Sequence, residues 1–241
     1  MKIQLNCDMG EGLHKTDKLI MPYINMTNLA CGFHAGNAIT MINCVKLAKK
    51  YKIKIGAHPG YNDPLNFGRK SIKCSKTKLK ALLLYQIGAL DAICKSHETK
   101  ISYVKPHGAL YNNMMDKKSV FKTIVKTIQK YNKNLKLMIL STKKNKRYEK
   151  IANKYDIELI YEVFADRNYT DDGFLVGRAN KNAVISNTKD VIARVKKIQK
   201  ENIIVSENGQ ILKLKADTIC VHGDGKKAVK FIKSLSRLLI Q

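Results

Sequence analysis

The stretch Ser102-Tyr103-Val104-Lys105-Pro106-His107-Gly108-Ala109-Leu110-Tyr111 sets the pattern for the whole chain. A short apolar run ends in polar residues, breaks at Pro106 and Gly108, and passes into a helix-like stretch. Proline lacks the backbone donor a sheet ladder needs and pushes the residue before it out of helical conformation, so an element has to end there. Polar side chains at the tip of a strand are where α/β proteins place their chemistry. The same grammar recurs at Asn6-Cys7-Asp8-Met9-Gly10-Glu11, at Cys31-Gly32-Phe33-His34, at Gly56-Ala57-His58-Pro59, at Phe164-Ala165-Asp166-Arg167 and at Val221-His222-Gly223-Asp224.

Outward from these tips, residues 2–7, 23–30, 53–57, 101–104, 135–140, 159–164 and 217–221 read as strands. Stretches of helical periodicity separate them. Asn37 can cap a helix that carries Met41, Val45 and Ala48 on one face, and Ser75 caps a longer one with Leu79, Leu83, Gln86, Ile87 and Leu90. Residues 117–131 and 146–155 are helical, Thr188 caps a helix that runs to Lys200, and Val229, Ile232, Leu235 and Leu239 mark the last one. Glu207-Asn208-Gly209 reads as a hairpin turn. Residues 10–22 read as a loop, with His14 and His97 as surface residues. The turn-rich segment 60–69 has the character of a binding lid. Strands alternating with helices imply a parallel sheet with right-handed crossovers. About seven strands that all end in polar residues favour a closed β/α barrel over an open doubly wound sheet, because a barrel brings all its strand ends to one rim.

The chain's 241 residues and 44% hydrophobic content suit one domain, 1–241, with a large core. It contains no apolar run of about 18 residues, which argues against a membrane span. The N-terminus reads as a strand rather than a signal peptide, so the expected location is the cytoplasm. Six cysteines without a C-x-x-C pair read as reduced core fillers. The formal charge of +26 raises the question of a nucleic-acid partner. The lysines are spread over every expected helix, arginine is scarce, and no run interleaves basic with aromatic residues, so a solvated surface with no nucleic acid is the expectation.

On a barrel, Asp8, Glu11, His34, His58, Lys105, His107, Asp166, Arg167, His222 and Asp224 face one pocket. Carboxylates beside imidazoles either share protons near neutral pH or hold a divalent metal that activates water. Taken alone, Asp8 reads equally as a turn cap, and His34 and His58 as structural residues. Lys105 reads either as a group that steadies an oxyanion or phosphoryl group or as an ordinary exposed lysine, and Arg69 either as a clamp for a substrate carboxylate or as a surface charge. The chain has no G-x-x-x-x-G-K-[ST] loop, no G-x-G-x-x-G after a strand and no G-x-S-x-G elbow. Acid/base or metal-assisted hydrolysis of a small polar molecule remains.

In order along the chain, Leu5 to Glu11, Asn28 to Gly36, Gly56 to Pro59, Phe67-Gly68-Arg69, Val104 to Asn112, Glu162 to Arg167, Asp172 to Arg178 and Cys220 to Asp224 resemble the LamB/YcsF family. The resemblance covers nearly the whole chain. It implies a seven-stranded β/α barrel related to the glycoside hydrolase/deacetylase fold. It also implies hydrolytic opening of 5-oxo-L-proline to L-glutamate with ATP as co-substrate, by the A component of a 5-oxoprolinase working with two others, the B and C subunits. On that reading Asp8, His34, His58, His107, Asp166 and His222 carry the catalysis, and Glu11, Arg69, Lys105, Arg167 and Asp224 bind substrate. Asn37 stands where the family has Asp, and Gly60 where it has Ser. Two other readings remain: a metal-dependent polysaccharide or amide deacetylase with Asp8 and two histidines as ligands, and a basic nucleic-acid-binding protein.

Overall fold

A computed structural model describes residues 3–221 and 228–239. Seven parallel strands close into a barrel in the order β1 (Gln4–Met9), β2 (Met26–Ala30), β3 (Lys54–His58), β4 (Ile101–Val104), β5 (Lys136–Leu140), β6 (Leu159–Phe164) and β9 (Thr218–Val221). β9 closes the ring by pairing with β1 on one side and β6 on the other. Helices α1 (His14–Ile20), α2 (Ala38–Lys50), α3 (Lys76–Ser96), α4 (Gly108–Asp116), α5 (Lys118–Tyr131), α6 (Asn145–Ala152) and α7 (Thr188–Glu201) lie between the strands, and α8 (Ala228–Leu239) follows β9. A small antiparallel hairpin, β7 (Ile203–Val205) with β8 (Ile211–Lys213), is formed around the expected turn. No described helix is long and apolar enough to cross a membrane.

The strands match the sequence reading closely because each is a short β-rich run bounded by turn formers. Two local differences have identifiable causes. Residues 14–20 form a helix where the sequence reads as a loop; it buries only Asp17 and Ile20, so its apolar stripe is too short to show helical periodicity. The cap of α7 is Asn187, whose side chain accepts from the Lys189 amide, rather than the neighbouring Thr188. Asn37 and Ser75 cap α2 and α3 as expected.

Side chains alternate across a strand, so each strand feeds two different environments. Outward residues such as Leu5, Cys7, Leu29, Ile55, Leu137 and Ile219 pack against the helices in one continuous core. Inward residues stack in layers. Met26, Tyr103 and Met138, with Ile160 against them, form a separate apolar plug inside the barrel. Above it lies a polar layer. Asn6 donates to Thr218, Asn28 donates to Asn6, and the single proton of the Tyr103 hydroxyl is shared between the Thr27 carbonyl and the Asn28 side-chain oxygen. Asp8, His58 and Lys105 follow one step further toward the C-terminal ends of the strands.

Gly56 is what lets the Tyr103 ring lie flat across the interior. A Cβ there would sit 2.1 Å from the ring carbon Cε2, so the ring occupies the volume a side chain would need. Overpacking a filled core costs about 1–3 kcal/mol. Gly56→Ala is therefore expected to lower unfolding stability by about 1–3 kcal/mol in urea titrations. A loss within error of zero would show that Tyr103 does not depend on this gap.

Candidate active site

The C-terminal rim of the barrel opens into a pocket of about 480 Å³, lined by Asp8, Glu11, His58, Lys105 and His107 on its floor and by Arg69, Arg167 and Arg178 among its walls. Each floor residue comes from a strand tip or the turn that follows one. Asp8 lies near the end of β1, His58 ends β3, and Lys105 follows β4.

Lys105 is 2% exposed and its ammonium touches two carboxylates, Asp8 Oδ1 and Glu162 Oε1, each at 2.8 Å. The Cys220 thiol lies 3.4 Å from the same nitrogen. Burial alone would push the lysine pKa down. The opposing charges, Asp8 foremost, outweigh that and hold it well above the ordinary lysine value. The carboxylates are themselves anchored: Asn28 donates to Asp8 Oδ1 at 2.7 Å, and the Tyr111 hydroxyl donates to Glu162 Oε2 at 2.9 Å. The lysine charge, expected from the sequence to face substrate, is thus balanced inside the protein.

Glu11, His58 and His107 form the other half of the floor, with His34 packed against His107 but outside the pocket lining among the described residues. His107 Nδ1 lies 2.9 Å from His58 Nε2 and 3.5 Å from Glu11 Oε1. His34 stacks on His107 with ring centroids 3.7 Å apart, and its Nε2 is 3.4 Å from Glu11 Oε1. His58 Nε2 is 3.6 Å from Asp8 Oδ2, linking the imidazoles to the lysine cluster. The four donors of Glu11, His34, His58 and His107 all lie within 4.8 Å of one another. Burial, with the neighbouring His58 adding to it, pushes the His34 pKa down to about 3 and that of His107 well below the usual histidine value.

The loop expected to act as a lid is pinned to this floor. The His107 amide bonds the Pro59 carbonyl, the Ala109 amide bonds the Gly68 carbonyl, and the Phe67 carbonyl meets His107 Nε2 at 2.9 Å. Tyr61 is buried, and its hydroxyl accepts from Asn113. Gly68, at φ +63°, passes so close that a Cβ would lie 2.7 Å from His34 Cβ and 3.0 Å from His107 Cδ2. Arg69 leaves this tight turn with its guanidinium 5.0 Å from the Phe67 ring centroid.

The remaining expected site residues divide. Arg167 reaches the pocket, but its guanidinium donates to the backbone carbonyls of Ala183 and Val176, so it also fastens segment 168–184. Burial and the nearby Arg178 lower its pKa to about 10. Asp166 is buried beside Arg167 without lining the pocket among the described residues. His222 and Asp224 lie outside the described residues. Asn37 caps α2 through its side chain and stays out of the pocket lining among the described residues. Glu162, Asn28, Tyr103, Tyr111 and Arg178 are site or supporting residues that the sequence did not mark individually. Period-two alternation along β2 and β6, which turns Asn28 and Glu162 to the barrel interior, is the signal that finds them once a barrel is assumed.

These features define a β/α-barrel protein whose strand ends carry a charge-balanced, imidazole-rich pocket. The family model described as LamB/YcsF family matches residues 3–241, and the chain belongs to that family. A protein named as the A subunit of 5-oxoprolinase, from Vibrio vulnificus strain YJ016, is 43% identical over 242 residues, covering 99% of this chain and 97% of that one. Another so named, from Staphylococcus haemolyticus strain JCSC1435, is 42% identical over 243 residues, covering 99% and 96%. The crystal structure of a lactam utilization protein from Thermus thermophilus superposes with a TM-score of 0.90 at 31% identity, covering 100% of this chain and 97% of that one.

Removing one partner of a buried ion pair leaves uncompensated charge and costs about 3–5 kcal/mol. Lys105→Met, which strands both Asp8 and Glu162, is expected to destabilise the protein by about 3–5 kcal/mol in urea unfolding at pH 7. A change under about 1 kcal/mol would show that the carboxylates do not need the lysine. The raised lysine pKa sets the sign with pH: this contribution is complete below the unfolded value near about 10.4 and is lost only as pH rises through the folded one.

The histidines act in the opposite direction. His34, held neutral by burial, contributes stability above about pH 6.5, and this is lost as pH falls toward its folded value of about 3. In the presence of a chelator, His34→Gln is expected to flatten the fall in stability between pH 7 and pH 4. An unchanged slope would place the acid sensitivity elsewhere.

Proposed function

We propose that this chain is the lactam-opening subunit of a 5-oxoprolinase, a one-domain barrel that hydrolyses 5-oxo-L-proline to L-glutamate. The observation that carries the reading is the pairing of the two sides of the pocket. A proton-handling floor of Asp8, His58 and His107 faces Arg69 and Arg178, which suit the carboxylate of a small anionic lactam. Relatives named for the A component of 5-oxoprolinase that match nearly end to end, and a lactam utilization protein with the same fold, support it.

The chemistry follows from the difficulty of the bond. Amide resonance gives the lactam C–N bond partial double-bond character and makes the carbonyl carbon a poor target for water. Opening the ring requires a base for the attacking water, a proton for the departing nitrogen, and stabilisation of the oxygen that gains charge. Arg69 and Arg178 fix the substrate by its carboxylate. The His58–His107 pair accepts the proton from water and returns it to the ring nitrogen, while Lys105 keeps Asp8 anchored beside His58. Glu11 is placed to orient the water. Asp166 and Arg167 steady the wall, and the roles of His222 and Asp224 follow the family resemblance. ATP drives the reaction by transferring its terminal phosphoryl group to the lactam oxygen with release of ADP; water then adds to the activated carbon, the ring C–N bond breaks, and the phosphoryl group departs as phosphate. The relatives' names mark one lettered component of a larger enzyme, which supports assigning that step to an assembly with B and C subunits.

The test is glutamate release from 5-oxoproline and ATP by this chain alone and with B and C partners. Activity is expected only in the complete mixture. There, His107→Ala should reduce kcat by about 10²–10⁴-fold, the range for losing a positioned acid/base. Arg69→Ala should act mainly by raising KM. Full activity of His107→Ala would remove it from the proton relay, and failure of the complete mixture to release glutamate would overturn the assignment.

A further inference from the structure

We propose that the groove between α3 and α5, on the outside of the barrel, docks an acidic segment of a protein partner. The groove has a volume of about 490 Å³, with Lys76 and Lys80 of α3 on one side and Lys118, Lys122 and Lys126 of α5 on the other. The two helices pack against each other. Their apolar residues, Leu79 and Leu83 on one and Phe121 and Ile124 on the other, belong to the core. The lysines recur every four residues, so each set forms a row along its helix. Two rows of ammonium groups thus line one concave surface.

The lack of counter-charge sets this groove apart from the rest of the lysine-rich exterior. Like charges four residues apart on one helix face repel. Elsewhere exposed lysines are relieved by acids: Lys49 meets Glu98 at 2.9 Å, Lys95 meets Asp91 at 2.9 Å and Lys136 meets Glu158 at 2.5 Å. Among the described residues none of the five groove lysines is paired with a carboxylate. α5 carries no Asp or Glu, and α3 carries none before Asp91. Asp91 is taken by Lys95 and Tyr131, and Asp116, just before α5, lines the active-site pocket instead. Lys126 lies over the Tyr155 ring, 5.4 Å from its centroid, which steadies the side chain without neutralising it. The Thr123 hydroxyl in the lining is turned to the Ser119 carbonyl. The groove therefore presents positive charge that nothing in the fold offsets.

The chemistry of the lining selects the occupant. From Lys118 to Lys126 the row spans about 12 Å along the helix axis. A single small anion meets only part of it, whereas an acidic segment meets all of it. The lining has no arginine to grip phosphate bidentately and no aromatic ring to stack a base, the two devices of a nucleic-acid groove. It has no apolar side chain to enter a lipid surface. Carboxylates spaced four residues apart on a partner helix match the lysine rows. Ammonium groups are strongly hydrated and solvent screens them, so the contact weakens with salt. No residue of the groove lines the active-site pocket, so docking and chemistry are separable.

The test uses the full chain and a fluorescein-labelled helical peptide of Glu-Ala-Ala-Ala repeats, whose carboxylates recur every four residues. Binding is read by fluorescence anisotropy. Neither substrate nor partner subunits are needed, so the outcome is independent of the lactam assignment. The wild-type chain is expected to bind the peptide at low salt and to lose at least about tenfold in affinity between roughly 50 and 300 mM salt. Lys118→Gln with Lys122→Gln and Lys126→Gln should weaken binding at least about tenfold, the sum of three exposed ion pairs. A control with the same loss of charge on α7, Lys196→Gln with Lys197→Gln and Lys200→Gln, should stay within about twofold of wild type. The fold is checked by circular dichroism. If the α5 triple variant does not fold, Lys118→Gln with Lys122→Gln, both fully at the surface, carries the test. Equal weakening in the α5 and α7 variants would overturn the proposal, because the overall charge of +26 would then account for binding. Absence of peptide binding at low salt would also overturn it. Tighter binding of a thymidine oligonucleotide of equal charge, lost in the α5 variant, would reassign the groove to nucleic acid. Capture by phosphatidylserine vesicles, lost in the same variant, would reassign it to a membrane surface.

Discussion

The Lys105 ammonium held between Asp8 and Glu162 is the interaction on which the interior depends. It joins β1, β6 and the tip of β4 across the barrel, in a place where an unpaired charge could not stay. Everything around it serves to satisfy it. Asn28 and Tyr111 bond the carboxylates, Tyr103 bonds Asn28, and Gly56 makes room for the Tyr103 ring. A buried ion pair of this kind is weak evidence of stabilisation, since apolar residues fill a core at lower cost. Its presence is better understood as positioning. It fixes the charge and orientation of Asp8, which in turn faces His58, and so ties the polar floor to the barrel's register.

Two charge regimes therefore coexist in the molecule. The exterior carries a large excess of lysine on its helices, well hydrated and individually of little energetic weight. The interior sets the carboxylates of Asp8, Glu11 and Glu162 against the Lys105 ammonium and three imidazoles, below a wall of arginines. The arginines of the wall place positive charge over a floor of carboxylates and imidazoles. The expected lid adds rigidity rather than a gate, because its Phe67–Gly68 turn is hydrogen-bonded to the start of α4.

The strand tips are legible in the sequence because each combines an abrupt end of apolar character with Pro, Gly or His, and those breaks have local steric causes. Asp8, His58, Lys105 and His107 are found that way, and the structure brings them to one floor. Glu162 is harder to see: in Leu159-Ile160-Tyr161-Glu162-Val163-Phe164 it looks like a solvent-facing residue of an ordinary strand. It is fully buried because the barrel interior, not solvent, lies on that face. Asn28 and Tyr103 are hidden for the same reason. That the Arg167 guanidinium is consumed by backbone carbonyls is likewise invisible locally, since its motif gives no sign of the segment it fastens.

The position of β9 has a consequence for how the protein comes into being. Because β9 lies between β1 and β6, the edges of those two strands have no partners until residues 218–221 leave the ribosome. Unpaired edges are templates for association with other chains. β9 also delivers Thr218 to Asn6 and Cys220 to Lys105, so the polar interior is still wet at that stage. A nascent chain stopped short of this strand is thus a sticky open sheet with hydrated charges at its centre, not a weaker version of the finished barrel. The site is closed in one step, when this strand takes its place between the two edges.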